Sequence, residues 1–174
     1  ERLRPVVRVV LRRDPAVVPA QRGRIVVVPA APDGAVESVE SALARFDEDV
    51  LSLPNVKYLI VFEGVNDIGN RFGVRGPNQP SFPGLDQPEI TVEQMIAGYR
   101  QIIARAHEKG IKVIGSPIGP YKGAAYWSEA GEAARQKIND WILNSGAFDG
   151  VTRLDLAFAD PVDPRQMREG YHMG

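Results

Sequence analysis

The sequence predicts an α/β fold, with a mainly parallel sheet covered by helices on both faces. Short apolar runs at 57–62, 111–115 and 151–156 are typical of buried strands. Segments with helical periodicity at 91–108 and 129–144 lie between these runs, so strands and helices alternate along the chain. Turns that contain glycine join them, as expected for repeated strand–helix–strand units. Thr91 and Gln94 fit a capping box at the start of the first helical segment, and Ser128 is the predicted cap of the second. A further helix is predicted at 36–51, with an apolar face formed by Val39, Leu43, Phe46 and Val50.

Composition limits the classes of function. A chain of 174 residues predicts one domain, spanning 1–174, and its net charge of −1 favours neither nucleic acid nor a membrane surface as a partner. No apolar run is long enough to cross a bilayer. The absence of cysteine excludes disulfides, a thiolate nucleophile and a cysteine-based metal site. The chain begins at Glu1 rather than Met, so we expect a processed, tagged or fragmentary protein, with secretion slightly favoured over the cytoplasm.

The segment 1–33 differs from the rest because it consists almost wholly of Arg, Val, Pro and Ala. Its prolines exclude a continuous helix. Two interpretations stay open. The segment forms two short strands, the second at Arg24–Val28, joined by a proline-rich loop, or it arises from out-of-frame translation of GC-rich DNA.

The central stretch is the strand at 57–62 followed by Glu63-Gly64-Val65-Asn66-Asp67. Gly64 allows a turn where a Cβ would clash. Asn66 and Asp67 then stand at the carboxyl end of a buried strand, which is the edge where open α/β sheets bind ligands. The simpler alternative is that these two side chains only cap a turn.

Gly64-Val65-Asn66-Asp67 resembles the G-x-N-D block of the SGNH (GDSL-type) hydrolases, and the resemblance extends from about Ser41 to Gly174. It implies a flavodoxin-like three-layer α/β/α sandwich. It also implies cleavage of carboxylic esters through an acyl-serine, without a metal or organic cofactor. Asn66 would be an oxyanion-hole donor, and the substrate would be a small-molecule ester or an acylated glycan.

Other blocks of that family are not found. The Gly-Asp-Ser turn and the second glycine block are absent from 1–33, and Glu169 stands where an Asp would precede His172 in an Asp-x-x-His block. Ser116 ends a strand but lacks the Gly-x-Ser-x-Gly frame of a nucleophile elbow. His107 is interpreted as a helix C-terminal residue. We therefore expect an incomplete domain that is nearly inactive unless the missing groups are supplied.

A long stretch rich in glycine and proline at 70–89 predicts an irregular loop at the site. Phe72, Phe82 and Leu85 would either line a cleft for an acyl or sugar group or only anchor the loop.

The loop after the strand at 111–115 should emerge beside Asn66, because parallel strands share their carboxyl edge. Tyr121 and Tyr126 of this loop are candidate substrate contacts. The predicted site therefore consists of Asn66 and Gly64 for catalysis, with Phe72, Tyr121 and Tyr126 for binding.

Two further classes of function stay open. One is a non-catalytic α/β domain that binds a small molecule or glycan, and the other is an inactive fragment. Nucleotide binding is disfavoured, because no glycine-rich phosphate loop opens a helix.

Overall fold

A computed structural model of the chain describes residues 24–28, 42–72 and 91–170, and it describes side chains for 42–69 and 91–170. The strands are β1 (Arg24–Val28), β2 (Val56–Val61), β3 (Lys112–Gly115) and β4 (Gly150–Val151). The α-helices are α1 (Val65–Phe72), α2 (Val92–Glu108), α3 (Glu129–Asn144) and α4 (Leu154–Phe158).

The described strands form one parallel four-stranded sheet in the order β1-β2-β3-β4. The register pairs Val28 with Val61, Val61 with Gly115, and Gly115 with Val151, so the carboxyl ends of the strands lie in one row. The α/β class with a parallel sheet is confirmed. The strand predicted at Arg24–Val28 is also confirmed, whereas the origin of 1–33 stays an open prediction.

The core lies between the sheet and the helices α2 and α3. Tyr99 of α2 stacks on Trp141 of α3 with ring centroids 6.0 Å apart, and both rings meet Phe148 edge-on. Phe148 packs on Gly115 of β3 so closely that a Cβ there would lie 2.7 Å from its ring. The buried apolar residues of the sheet and the two helices include Leu59, Val61, Val113, Ile102, Ile103, Ile138 and Ile142.

The two long helices begin where the sequence predicts. Thr91 and Gln94 form the capping box of α2, with the backbone N–H of Gln94 donating to Thr91 Oγ1 at 3.2 Å. Ser128 caps α3 and accepts from the Gly131 N–H at 3.0 Å. Gly110 follows α2 with φ +67°, the left-handed conformation expected of a glycine after a helix.

The strand predicted at 151–156 is wrong beyond Val151. The chain leaves the sheet after two residues and enters α4 at Leu154. Arg153 Nε and Nη2 each donate to the Asp155 carboxylate at 3.0 Å. The polar residues that interrupt the apolar pattern, Arg153 and Asp155, therefore lie after the strand, at the start of α4.

Two other boundaries also differ from the prediction. The irregular stretch was predicted from Asn70, but α1 continues to Phe72, and 73–90 lies outside the described residues. The helix predicted at 36–51 is described only from Ala42, where turns lead into a π-helical segment, Asp47–Leu51. Its predicted apolar face is buried at Phe46 and Val50.

Asp149 joins α2 to the amino ends of β3 and β4. Its Oδ2 accepts from the Val113 N–H and lies next to His107 Nε2, at 2.8 Å in each case. We expect Asp149→Ala to lower the free energy of unfolding by about 2 kcal/mol in urea denaturation, because a buried N–H loses its acceptor.

His107→Ala is the matched control, because it removes only the half-exposed contact with Asp149 and should cost about 0.5 kcal/mol or less. The Val113 N–H, followed by His107, lowers the pKa of Asp149. The stability from Asp149 should therefore be present above its unfolded-state pKa and lost as the pH falls. Equal losses in the two variants would contradict the backbone-acceptor role.

Candidate active site

The candidate site begins where β2 passes into α1. Gly64 is buried with φ +110°, and its carbonyl accepts the Ile68 N–H at 3.1 Å as α1 starts. A Cβ at Gly64 would lie 2.7 Å from Tyr99 Oη and 2.9 Å from Ile118 Cδ1. Both the backbone conformation and the space around it therefore require glycine.

Asn66 and Asp67 lie in the first turn of α1, both half-buried. The first turn of a helix has backbone N–H groups without helical acceptors, which favour negative charge nearby. The sequence placed these residues in a turn after a strand, and the structure shows that this turn is the start of a helix. The oxyanion role of Asn66 and the role of Gly64 in the reaction stay predictions.

The loop after β3 packs against α1, as the shared edge of parallel strands predicts. A Cβ at Gly69 of α1 would lie 2.3 Å from Tyr126 Cδ2, so the tyrosine ring rests directly on the helix backbone. Tyr126 also stacks on Tyr121, with centroids 5.8 Å apart. Ile118 of the same loop lies against Gly64, so the loop packs along α1 and the turn before it.

The two tyrosines differ in what they offer a substrate. Tyr126 is half-buried, whereas Tyr121 is 5% exposed and its hydroxyl lies against Gly131 of α3. Tyr121 therefore supports Tyr126 from inside the protein, and a substrate role for either residue stays a prediction. Phe72 ends α1, but its side chain lies outside the described part, as do Phe82, Leu85 and His172.

The sequence analysis did not predict that Gly69 and Gly131 are positions of close contact with tyrosine rings. Each stands inside a helix, where glycine costs about 1 kcal/mol relative to alanine, and each admits a tyrosine at close range. A glycine inside a helical pattern was the available signal for such a contact.

Side chains of helix α3 bind the backbone of the loop that follows β3. Asn139 Oδ1 accepts the Ile118 N–H at 2.7 Å, and Asn139 Nδ2 and Arg135 Nη1 donate to the Ile118 carbonyl at 2.9 Å each. Arg135 is itself held by Glu132 through Nε and Nη2, at 2.8 and 2.7 Å. Since Ile118 borders Gly64, this buried network connects α3 to the Asn66 turn.

Two carboxyls, Glu63 and Asp67, lie beside the turn. Burial, with a smaller contribution from the Asp67 charge, raises the pKa of Glu63 to about 7 against the opposing charge of Arg45. Burial also raises the pKa of Asp67. Tyr99 Oη donates to the Glu63 carbonyl at 2.8 Å, and burial followed by these two charges raises its pKa. Glu63 was not predicted as a site residue, because nothing in the sequence around it indicates that its side chain is buried.

The described serines do not form a nucleophile–base pair. Ser116 is 1% exposed, and its Oγ reaches only the Pro117 carbonyl at 3.4 Å. His107, the one histidine in the described part, is bound to Asp149 near the amino ends of the strands, at the opposite edge from Asn66. The expectation that Ser116 and His107 are structural agrees with these positions.

A family model for the GDSL-like Lipase/Acylhydrolase family matches residues 9–174. The chain belongs to this family. The suspected resemblance to the SGNH (GDSL-type) hydrolases is thereby confirmed, as is the α/β sandwich that the family's fold implies. Membership in the GDSL-like family also indicates ester hydrolysis in general. A comparison with curated proteins found no match.

The described residues of this GDSL-like protein contain no group of three or more His, Cys, Asp or Glu that could hold a metal. Within the same residues, no helix has the length and apolar character needed to cross a membrane. A groove of about 300 Å³ lies along α3 and α4, where Arg135, Asn139 and Leu156 are among its lining residues. The described Asn66 turn does not line this groove.

Proposed function

We propose that this chain carries the oxyanion-binding part of a serine esterase that cleaves carboxylic esters. The observation that supports this most directly is the position of Asn66, half-buried in the first turn of α1 and two residues after the buried Gly64. Membership in the GDSL-like family supports the same reaction class.

In this reaction a serine Oγ attacks the ester carbonyl carbon, and the carbonyl π electrons move onto oxygen. The side-chain amide of Asn66 donates a hydrogen bond to this oxyanion, where the negative charge of the transition state develops. A base takes the serine proton and returns it to the departing alcohol, and water then hydrolyses the acyl-serine. This chain's contribution in the proposal is the donor and the turn that orients it.

The proposed substrate is a small-molecule ester or an acylated glycan. Tyr126 supports this because its half-buried ring rests on α1 beside the Asn66 turn, with Tyr121 stacked behind it. An aromatic face next to a donor is suited to an acyl group or a sugar ring.

The test is hydrolysis of p-nitrophenyl acetate by the protein when it also carries a serine nucleophile and a base, with the intact mass measured on the same sample. We expect Asn66→Ala to lower kcat by about 100-fold or more, equivalent to about 3 kcal/mol for one oxyanion donor. Asn144→Ala is the control, since Asn144 is exposed and bonded only to Asp140 among the described residues. An unchanged kcat in Asn66→Ala would remove Asn66 from the mechanism.

A second candidate function is binding of the same ligand class without turnover. It is favoured by the engagement of His107 with Asp149 and by the burial of Ser116. Calorimetric titration with an acetylated sugar would separate the two functions. Binding without release of acetate supports the binding domain, and release of acetate supports the esterase.

A further inference from the structure

We propose that Lys122 is a positioning residue of the candidate site. A hairpin at 159–167 binds Lys122, and through this contact it fixes the loop that lays Tyr126 against α1 beside Asn66. The effect of Lys122 on a substrate rests on the proposed esterase function. The position of the Tyr126 ring belongs to the fold, and it can be measured without turnover.

The hairpin is ordered around the carboxylate of Asp163. Ala159 and Met167 form an antiparallel bridge that closes it. In its turn, Asp160 Oδ1 accepts from the Asp163 N–H at 3.0 Å, and Asp163 Oδ1 accepts from the Arg165 N–H at 3.1 Å. Hydrogen bonds from the backbone to nearby aspartate side chains stabilise turns of this kind. The second oxygen of Asp163, Oδ2, therefore has a defined position from which it can bind the β3 loop.

Lys122 of that loop binds the hairpin with its backbone and its side chain. Its N–H donates to the Arg165 carbonyl at 2.9 Å, and it forms a parallel bridge with Gln166. Its Nζ donates to Asp163 Oδ2. The side chains of Lys122 and Asp163 are 32% and 28% exposed, so water screens the ion pair only in part. The hairpin therefore fixes both the backbone and the side chain of Lys122.

Lys122 lies in a turn between the two tyrosines of the loop. The Ala124 N–H donates to the Tyr121 carbonyl at 3.0 Å, so Lys122 and Gly123 are the central residues of a four-residue turn. Gly123 has φ +100°, and a positive φ at this position is typical of a type II turn. The turn leads from the buried Tyr121 to Tyr126, whose ring stacks on that of Tyr121. Fixing Lys122 therefore fixes the direction in which the chain approaches Tyr126.

The Tyr126 ring lies next to the proposed oxyanion donor. A Cβ at Gly69 would overlap the Tyr126 ring, and Gly69 follows Asn66 by three residues, so the two positions are neighbours on the surface of α1. In the proposed reaction the ring contacts the acyl or sugar group while Asn66 binds the oxyanion. Releasing the loop from the hairpin should therefore weaken substrate binding more than it slows the chemical step.

NMR of the full chain measures where the Tyr126 ring lies. The ring current should displace the Gly69 α-proton resonances in the wild type, relative to Tyr126→Leu, which lacks the ring. We expect Lys122→Met to lose about half or more of this shift, because the hairpin no longer fixes the loop, and Lys122→Arg to keep it. Lys137→Met, the same change at an exposed position of α3, is the control and should keep the full shift. A full shift in folded Lys122→Met overturns the inference.

Asp163→Asn tests the same contact from the hairpin and leaves Lys122 unchanged. It keeps an oxygen for the Arg165 N–H but loses the charge that binds Lys122, so it also tests the inference if Lys122→Met fails to fold. We expect the Lys122 amide hydrogen to exchange about 10-fold faster or more, with a loss of the Gly69 shift. Faster exchange with an unchanged Gly69 shift overturns the positioning role, and unchanged exchange overturns the role of the hairpin.

Ester hydrolysis by the protein that carries a serine nucleophile and a base separates this inference from the proposed function. If both hold, Lys122→Met raises KM for p-nitrophenyl acetate by about 10-fold and changes kcat by less than about twofold, whereas Lys122→Arg keeps the wild-type KM. Absence of hydrolysis together with the expected NMR results overturns the esterase proposal and supports the positioning of Tyr126. Hydrolysis with an unchanged KM in Lys122→Met overturns the effect on substrate and leaves the esterase intact.

Discussion

Gly64→Ala is expected to lower the free energy of unfolding by about 3 kcal/mol or more. Two costs combine in this variant. The backbone has φ +110°, where an L side chain is strained, and the new Cβ would meet Tyr99 Oη at 2.7 Å and Ile118 Cδ1 at 2.9 Å. Both neighbours are confined, since Tyr99 Oη is bonded to the Glu63 carbonyl and the Ile118 side chain is 1% exposed in the core. Relaxation is therefore restricted, and chemical denaturation would measure the loss.

Gly123→Ala is the matched control for this substitution. Gly123 has φ +100°, but a Cβ there meets nothing within 4 Å. The control should show backbone strain alone, about 1–2 kcal/mol. The difference between the two variants measures the packing around Gly64. Equal losses would show that the close approach of Tyr99 and Ile118 does not contribute.

Arg135→Ala is expected to cost about 3–5 kcal/mol, because it leaves Glu132 buried without its charged partner. The side chains of Arg135 and Glu132 are 6% and 8% exposed. The variant also removes the Nη1 bond to the Ile118 carbonyl. The midpoint of urea denaturation would measure the loss, and the β3 loop should be the region that loosens.

Two further variants test whether the unpaired, buried charge of Glu132 causes this loss of stability. Arg153→Ala breaks a half-exposed pair with Asp155 and should cost under about 1 kcal/mol. Changing both partners, with Glu132→Gln and Arg135→Met, should cost less than Arg135→Ala alone, because no buried charge is left unpaired. A double variant as unstable as the single one would contradict this explanation.

The same pair has a defined pH dependence. Burial opposes ionisation of Glu132, but hydrogen bonds from Arg135 and Gln136 outweigh it and lower the pKa of Glu132. Its contribution to stability should therefore be present above the unfolded-state pKa and lost as the pH falls. The raised pKa of Glu63 gives the opposite direction, with stability lost as the pH rises through about 7, so denaturation in acid and in alkali would distinguish the two groups.

Short sequence patterns correctly predicted the helix starts, because the residues that form a helix cap lie within a few positions of one another. The capping box of Thr91 and Gln94 and the serine cap at Ser128 gave the starts of α2 and α3. The strand predicted at 151–156 was wrong because β4 ends at Val151 and the chain enters α4 at Leu154. An apolar run alone does not distinguish a strand from a short helix.

The site was predicted only in part, for a related reason. The shared carboxyl edge of parallel strands correctly predicted that the β3 loop lies beside the Asn66 turn. It did not predict that Tyr121 is buried behind Tyr126, since that depends on Gly131 of α3. Burial of Glu63 likewise depends on neighbours far along the chain, including Arg45 and Tyr99.

The sequence by itself determined the strand–helix alternation, the caps of α2 and α3, and the Gly64-to-Asp67 block by which family membership was suspected. These features rest on periodicity, hydrogen bonding and backbone freedom over short distances in the chain. Only the tertiary structure decided which glycines pack against a tyrosine ring, which acids are buried, and which arginine binds a buried glutamate. Each of these depends on side chains brought together from separate elements, where close packing and the loss of water set the energies.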